Sequence, residues 1–132
     1  MRQFHLEIVT PDGLAFDGEC ESVAVKTTAG DVQIMYAHED YFAPLAIGIA
    51  RIKCDGNTRT ASAQGGFISV KDKSVRIVAT TFEFSENIDI ARAENAKARA
   101  EEALRDAKNE KEAAIQRARL ARALNRLSAG KM

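Results

Sequence analysis

Phe82-Glu83-Phe84-Ser85-Glu86-Asn87-Ile88-Asp89-Ile90-Ala91-Arg92-Ala93 is the stretch where this 132-residue chain changes character. All eight aromatic residues lie at or before Phe84, and both prolines, Pro11 and Pro44, lie well upstream. Seven of the eight glycines lie at or before Gly66, and none falls between Gly66 and Gly130. Beyond Asn87 the chain is rich in Ala, Glu, Arg and Lys. These residues are strong helix formers, whereas the aromatics and glycines upstream suit strands and turns. Charge divides at the same place. The formal net charge is zero. The part before Asn87 holds 8 basic and 12 acidic residues, a net of −4, and the rest holds 11 basic and 7 acidic, a net of +4. The chain therefore reads as α+β, with an all-β unit over residues 1–84 and a helical unit over 85–132.

Within the first unit, Phe4, Leu6 and Ile8 alternate with His5 and Glu7, the period-2 signature of a half-buried strand. Pro11-Asp12-Gly13 is a turn, with proline setting φ and glycine free to take a positive one. Val23 and Val25 continue the alternation, Ala29-Gly30-Asp31 turns the chain, and Val32 to Met35 resumes it. Tyr36 to Phe42 lacks alternation and reads as a loop. Leu45 to Ile52, Phe67 to Val70 and Val75 to Val78 read as further strands, separated by Asp55-Gly56-Asn57, Gly65-Gly66 and Lys71-Asp72-Lys73-Ser74. Short strands with turns every 8 to 12 residues predict an antiparallel sandwich or barrel.

The second unit predicts a helical hairpin. Asn87 is placed to cap a helix running to about Ala107, with Asp89 in its first turn, where the helix dipole favours an anion. Asn109 and Glu112 have capping-box spacing for a second helix, which Gly130 ends. The short break between them makes the helices antiparallel neighbours. Their contact positions are mostly alanine, and burying a methyl gives only about 0.8 kcal/mol. Such a hairpin reads either as a conformational switch, opening while each helix stays helical, or as a permanently packed pair.

Several classes are excluded as expectations. Zero net charge argues against a nucleic-acid binder. No run of about 18 apolar residues spans a bilayer. The charged Met-Arg-Gln-Phe-His-Leu-Glu start lacks the apolar stretch of a signal peptide. Cys20 and Cys54 are too few for a disulfide scaffold and lack zinc-ligand spacing, so both read as buried thiols in a reducing cytoplasm. His5 and His38 have no partner for nucleophilic or metal chemistry, and no P-loop occurs. No catalytic and no metal residues are expected.

Phe4-His5-Leu6-Glu7-Ile8-Val9-Thr10-Pro11, then Phe16 and Gly18, Gly30-Asp31 with His38, Gly65-Gly66-Phe67-Ile68-Ser69-Val70, Glu83, Ile88-Asp89 and the Arg-rich tail occur in that order. End to end, the chain resembles the epsilon subunits of bacterial F-type rotary ATP synthases. Gln33 stands where a second glycine is common, and Glu39-Asp40 where many members carry a proline. The resemblance implies a flattened sandwich of ten strands followed by the two-helix hairpin. It implies a noncatalytic central-stalk subunit of a proton-translocating enzyme, peripheral to the cytoplasmic face of the bacterial cell membrane. Its implied partners are gamma, the c-ring and an acidic segment of beta in the alpha/beta hexamer. Extension of the helical arm towards that hexamer would suppress ATP hydrolysis. The alternative class is a free-standing sandwich adaptor whose helical arm serves unrelated partners.

Ile88-Asp89-Ile90-Ala91-Arg92-Ala93 also resembles the signature of family members that bind ATP. The resemblance carries over Glu83, Ile88, Asp89, Arg92, Ala93, Arg99, Arg122 and Arg126 as ATP-binding residues. Spacing is compatible with this. Asp89 and Arg92 share one helical face with Arg99 near it, and Arg122 and Arg126 are one turn apart. Antiparallel folding would converge four guanidiniums on a triphosphate, with Glu83 and Asp89 accepting from the nucleoside and Ile88 and Ala93 walling the base. ATP would be a regulatory ligand, with no cofactor required. Asp31 and His38 are candidates for docking on the membrane ring, and Lys111, Arg117 and Arg119 for docking on the acidic beta segment.

Overall fold

The computed structural model describes residues 2–132. Strand β1 (Phe4–Thr10) buries Phe4, Leu6 and Ile8 and exposes His5, as its alternation dictates. It turns into β2 (Gly13–Cys20), and then follow β3 (Ser22–Thr27), β4 (Gly30–Met35), β5 (Tyr41–Pro44), β6 (Gly48–Cys54), β7 (Asn57–Gln64), β8 (Phe67–Lys71), β9 (Ser74–Val78) and β10 (Thr81–Phe84). The described residues form two five-stranded sheets, in the orders β2-β1-β9-β8-β5 and β10-β7-β6-β3-β4. All pairings are antiparallel except β1 with β9, which is parallel. The core between the sheets is aliphatic, with Leu6, Ile8, Val23, Ile34, Ile52, Ile68 and Ile77 almost wholly buried. Phe82 and Phe84 of edge strand β10 meet edge to face, their centroids 5.3 Å apart, and close that edge of the core.

Four strands lack a clean apolar alternation in the sequence, each for a physical reason. β2 is an edge strand with only Cys20 fully buried. β7 buries four successive residues, Ala61, Ser62, Ala63 and Gln64, because helix covers its outer face. β5 begins at Tyr41, inside the stretch expected to be loop, and β10 is only four residues long. The strand expected over Leu45 to Ile52 is present as β6 from Gly48 on, and its first three residues, Leu45 to Ile47, are instead the crossover between sheets. Leu45 bridges Thr27, and regular pairing resumes at Gly48.

After β10 a 3-10 turn (Ser85–Asn87) leads to α1 (Ile90–Arg105) and α2 (Glu110–Gly130). Asn87 belongs to that turn and does not cap α1. Asp89 does, its Oδ1 accepting from the Arg92 N–H at 3.0 Å. Asn109 caps α2 through the Glu112 N–H at 2.9 Å, while the Glu112 carboxylate accepts from the Lys108 N–H. α1 is antiparallel to α2, and α2 lies on β6, β7 and the 3-10 turn. Ala93, Ala100, Ala123, Leu127 and Ala129 are the buried helix positions. No helix among the described residues is long and apolar enough to cross a membrane.

Candidate functional site

A cleft of about 530 Å³ opens between the hairpin and the outer face of the second sheet. That volume lies within the range of small-molecule sites. Gln64, Thr81 and Glu83 of β7 and β10 form its floor. Ala96, Arg99, Ala100 and Ala103 of α1 form one wall, and Gln116, Arg119, Arg122, Ala123 and Arg126 of α2 the other. Four guanidiniums and one carboxylate thus line the cleft. The alanines leave it smooth and apolar between the charged groups. Arginine offers planar paired donors, so the arrangement suits an anion carrying several oxygens next to a flat apolar group.

Glu83 holds one guanidinium in place. Arg126 Nη2 donates to Glu83 Oε2 at 3.1 Å, and Nε lies 2.7 Å from Oε1. The Nε–H is buried and not aimed well enough to count as a hydrogen bond, so the pair is a single bond plus an ion contact. Arg99, Arg119 and Arg122 are solvent-exposed along the cleft mouth.

The eight residues carried over for ATP are thereby divided. Glu83, Arg99, Arg122 and Arg126 line the cleft, and Ile88, Asp89, Arg92 and Ala93 do not. Ala93 is wholly buried between the helices and offers no wall to a ligand. Ile88 is buried beneath Gly130, where an added Cβ would meet its Cγ2 at 3.2 Å. The Asp89 carboxylate is engaged in capping, and Arg92 is exposed in the first turn of α1. Arg119, a candidate for docking on a protein partner, also lines the cleft, because i,i+3 and i,i+7 spacing puts it on the same helix face as Arg122 and Arg126. Lys111 is exposed on α2, and Arg117 is paired with Glu110.

A polar latch beneath α2 carries no signal in the sequence. Asn125 Nδ2 donates to the Gly48 carbonyl and to Ser62 Oγ, both at 2.9 Å. Gln64 Nε2 donates to the Arg122 carbonyl at 3.1 Å, and its Oε1 accepts from Thr81 Oγ1 at 3.2 Å. Buried Ser62 and Gln64 point out of the sheet and need these partners. Only pairing of β7 with a helix 58 residues and more away reveals their role.

Asp31 and His38 are not brought together. Asp31 lies near the start of β4, opposite Lys26, and His38 lies beyond that strand's far end. His38 Nδ1 sits 2.8 Å from the Glu39 carbonyl, and the ring meets Tyr41 edge-on. The same end of the sandwich exposes Phe42, its ring tilted against Phe67 with centroids 5.1 Å apart, and Tyr36, flanked by Arg2 and Lys73. No group of three or more His, Cys, Asp or Glu with metal-holding geometry occurs among the described residues.

A ten-stranded sandwich followed by a helical hairpin is a two-unit architecture that known proteins share. Residues 3–85 match the family model of the ATP synthase delta/epsilon chain β-sandwich domain, and residues 86–131 that of its long α-helix domain. The chain belongs to the ATP synthase delta/epsilon family. It is 41% identical to the ATP synthase epsilon chain of Bacillus pumilus, covering 99% of this chain and all of the relative. It is 43% identical to that of Bacillus velezensis, covering 96% of each. Among solved structures, a chain of the Euglena gracilis mitochondrial ATP synthase superposes with a TM-score of 0.83 at 21% identity, covering 98% of this chain and 82% of that one. One from the Tetrahymena thermophila central stalk and c-ring gives 0.65 at 16% identity, covering 98% and 97%. These two likenesses concern the fold.

Proposed function

We propose that this chain is the noncatalytic epsilon subunit of a bacterial proton-translocating ATP synthase, turning with the central stalk at the cytoplasmic face of the membrane. Whole-chain similarity to bacterial epsilon chains supports this reading over a free-standing adaptor. The sandwich docks on gamma and the c-ring. Its aromatic end around Tyr36, His38 and Phe42 is a surface for the ring, and Asp31 lies on the opposite end of β4.

The hairpin regulates. The cleft takes ATP, with phosphates on Arg99, Arg119, Arg122 and Arg126 and the base against the alanine walls. The observation that carries this reading is the convergence of four arginines from both helices over Glu83. A composite site of this kind exists only while the hairpin is docked, so a ligand there favours the docked state. At 100 times its dissociation constant it does so by about 2.7 kcal/mol. When ATP falls, the arm extends and releases Arg119, Arg122 and Arg126 towards the acidic segment of beta, with Lys111 and Arg117, which opposes hydrolysis.

Calorimetry with ATP on the full chain tests the ligand. Arg122→Ala and Arg126→Ala are each expected to weaken binding by about 1–3 kcal/mol, the worth of a charge-assisted hydrogen bond. Arg92→Ala should weaken it less, because Arg92 stands outside the cleft. ATP hydrolysis by the whole complex, with and without residues beyond Asn87, tests the brake. Deletion should raise activity most at low ATP, and equal activity across the ATP range would refute it.

A further inference from the structure

The chain has two cysteines, and the fold brings them together. Cys20 ends β2 in one sheet and Cys54 ends β6 in the other, 34 residues apart, with their sulfurs 2.7 Å apart. The backbone around them is held by other contacts. The Glu21 N–H donates to the Lys53 carbonyl at 2.8 Å, the Gly56 N–H to Glu21 Oε1 at 3.0 Å, and Gln3 Nε2 to Asp55 Oδ1 at 3.2 Å. The juxtaposition is therefore built by the ends of both sheets and not by the sulfurs alone. Cys20 is wholly buried and Cys54 is half-buried, which corrects the expectation that both are buried.

We propose that Cys20 and Cys54 form an oxidisable dithiol that exchanges with low-molecular-weight disulfides and, when oxidised, staples the two sheets together. The asymmetry in exposure sets the order of steps. The Cys54 thiolate attacks one sulfur of the small disulfide, forms a mixed disulfide on Cys54 and expels one small thiolate, which takes up a proton. The Cys20 sulfur then attacks Cys54 Sγ and gives up its proton to the departing sulfur. The Cys20–Cys54 bond forms, the bond from Cys54 to the small molecule breaks, and that molecule leaves as the second thiol. Two protein thiols are oxidised, and one small disulfide is reduced to two thiols. Burial pushes the Cys20 thiol up, and the neighbouring Cys54, Glu19 and Asp55 push it further. Capture of Cys54 as a mixed disulfide removes its share of that repulsion at the moment Cys20 must ionise. Neither cysteine lines the arginine cleft, so the staple acts on the sandwich and leaves the hairpin's site intact.

Oxidised glutathione and the full chain provide the test. The intact mass should fall by two hydrogens, both thiols should become inert to alkylation after unfolding, and dithiothreitol should reverse both changes. The melting temperature should rise by roughly 10 °C, as a bond closing a loop of this length constrains the unfolded chain. Cys54→Ser should leave the melting temperature indifferent to oxidised glutathione and take up no glutathione on Cys20. Cys20→Ser should stop at a stable glutathione adduct on Cys54. The proposal is overturned if the wild-type chain stays reduced, retains glutathione on Cys54 beside an alkylatable Cys20, or forms only bonds between chains.

Discussion

The sandwich and the hairpin are held by different forces. Seven branched or long aliphatic side chains between the sheets are almost wholly removed from water, each worth about 1.5–3 kcal/mol relative to exposure. The hairpin buries four alanines and one leucine within its helices, and docks through Asn125, Ser62 and Gln64. Hydrogen bonds exchange with water at a small net gain, and methyl groups bury little area. The two units therefore differ in permanence and not only in shape. The first cannot open without losing its core. The second has less to lose on leaving the sheet, and its helices carry their own caps in Asp89 and Asn109 and are rich in alanine, which favours helix.

Core truncation gives the largest expected effect. Ile77→Ala, at a wholly buried position, should lower global stability by about 2–5 kcal/mol in denaturant unfolding, and Leu127→Ala should lower it less. Equal losses would break the contrast between the units. Gly66→Ala should come next. Its φ is +89°, and an added Cβ would lie 1.8 Å from the Val78 carbonyl oxygen, so backbone of β9 must move. A loss of about 3 kcal/mol is expected, confined to the sandwich.

Asn125→Ala sharpens the comparison from the other side. It leaves the Ser62 hydroxyl and the Gly48 carbonyl without that donor, which should weaken docking by about 1–3 kcal/mol. Hydrogen exchange should quicken at α2 and at β7 where α2 covers it, with the central strands unchanged. Uniform acceleration would mean that hairpin and sandwich unfold as one.

The smallest effect concerns the junction. The Glu86 carboxyl is held below its usual range by a backbone hydrogen bond and by Arg59, whose guanidinium also covers Phe84 at 3.6 Å. A depressed carboxylate contributes stability above its unfolded pKa and loses it as pH falls through the folded one. Glu86→Gln should therefore be slightly less stable than wild type at neutral pH, and the difference should vanish in acid. Melting curves across pH measure it, and a gap that persists in acid would assign the loss to packing.

What the sequence by itself determined was local. The α+β division at Phe84, the alternation of β1, the turns at Pro11-Asp12-Gly13 and Asp55-Gly56, and the Asn109 cap all follow from propensity and period over a few residues. The resemblance named residues that the fold then distributes between the cleft and the start of α1. Only tertiary structure decided which arginines share a cleft, since helix spacing gives a face but not what that face meets. It decided that the face shared by Arg119, Arg122 and Arg126 meets Arg99 and Glu83, and that Ala93 is enclosed. Pairing at long range also decided β7, whose Asn-Thr-Arg-Thr-Ala-Ser-Ala-Gln lacks apolar alternation because core lies on one side of it and helix on the other. Burial there is set by chain segments distant in sequence, and so is the contact between Cys20 and Cys54.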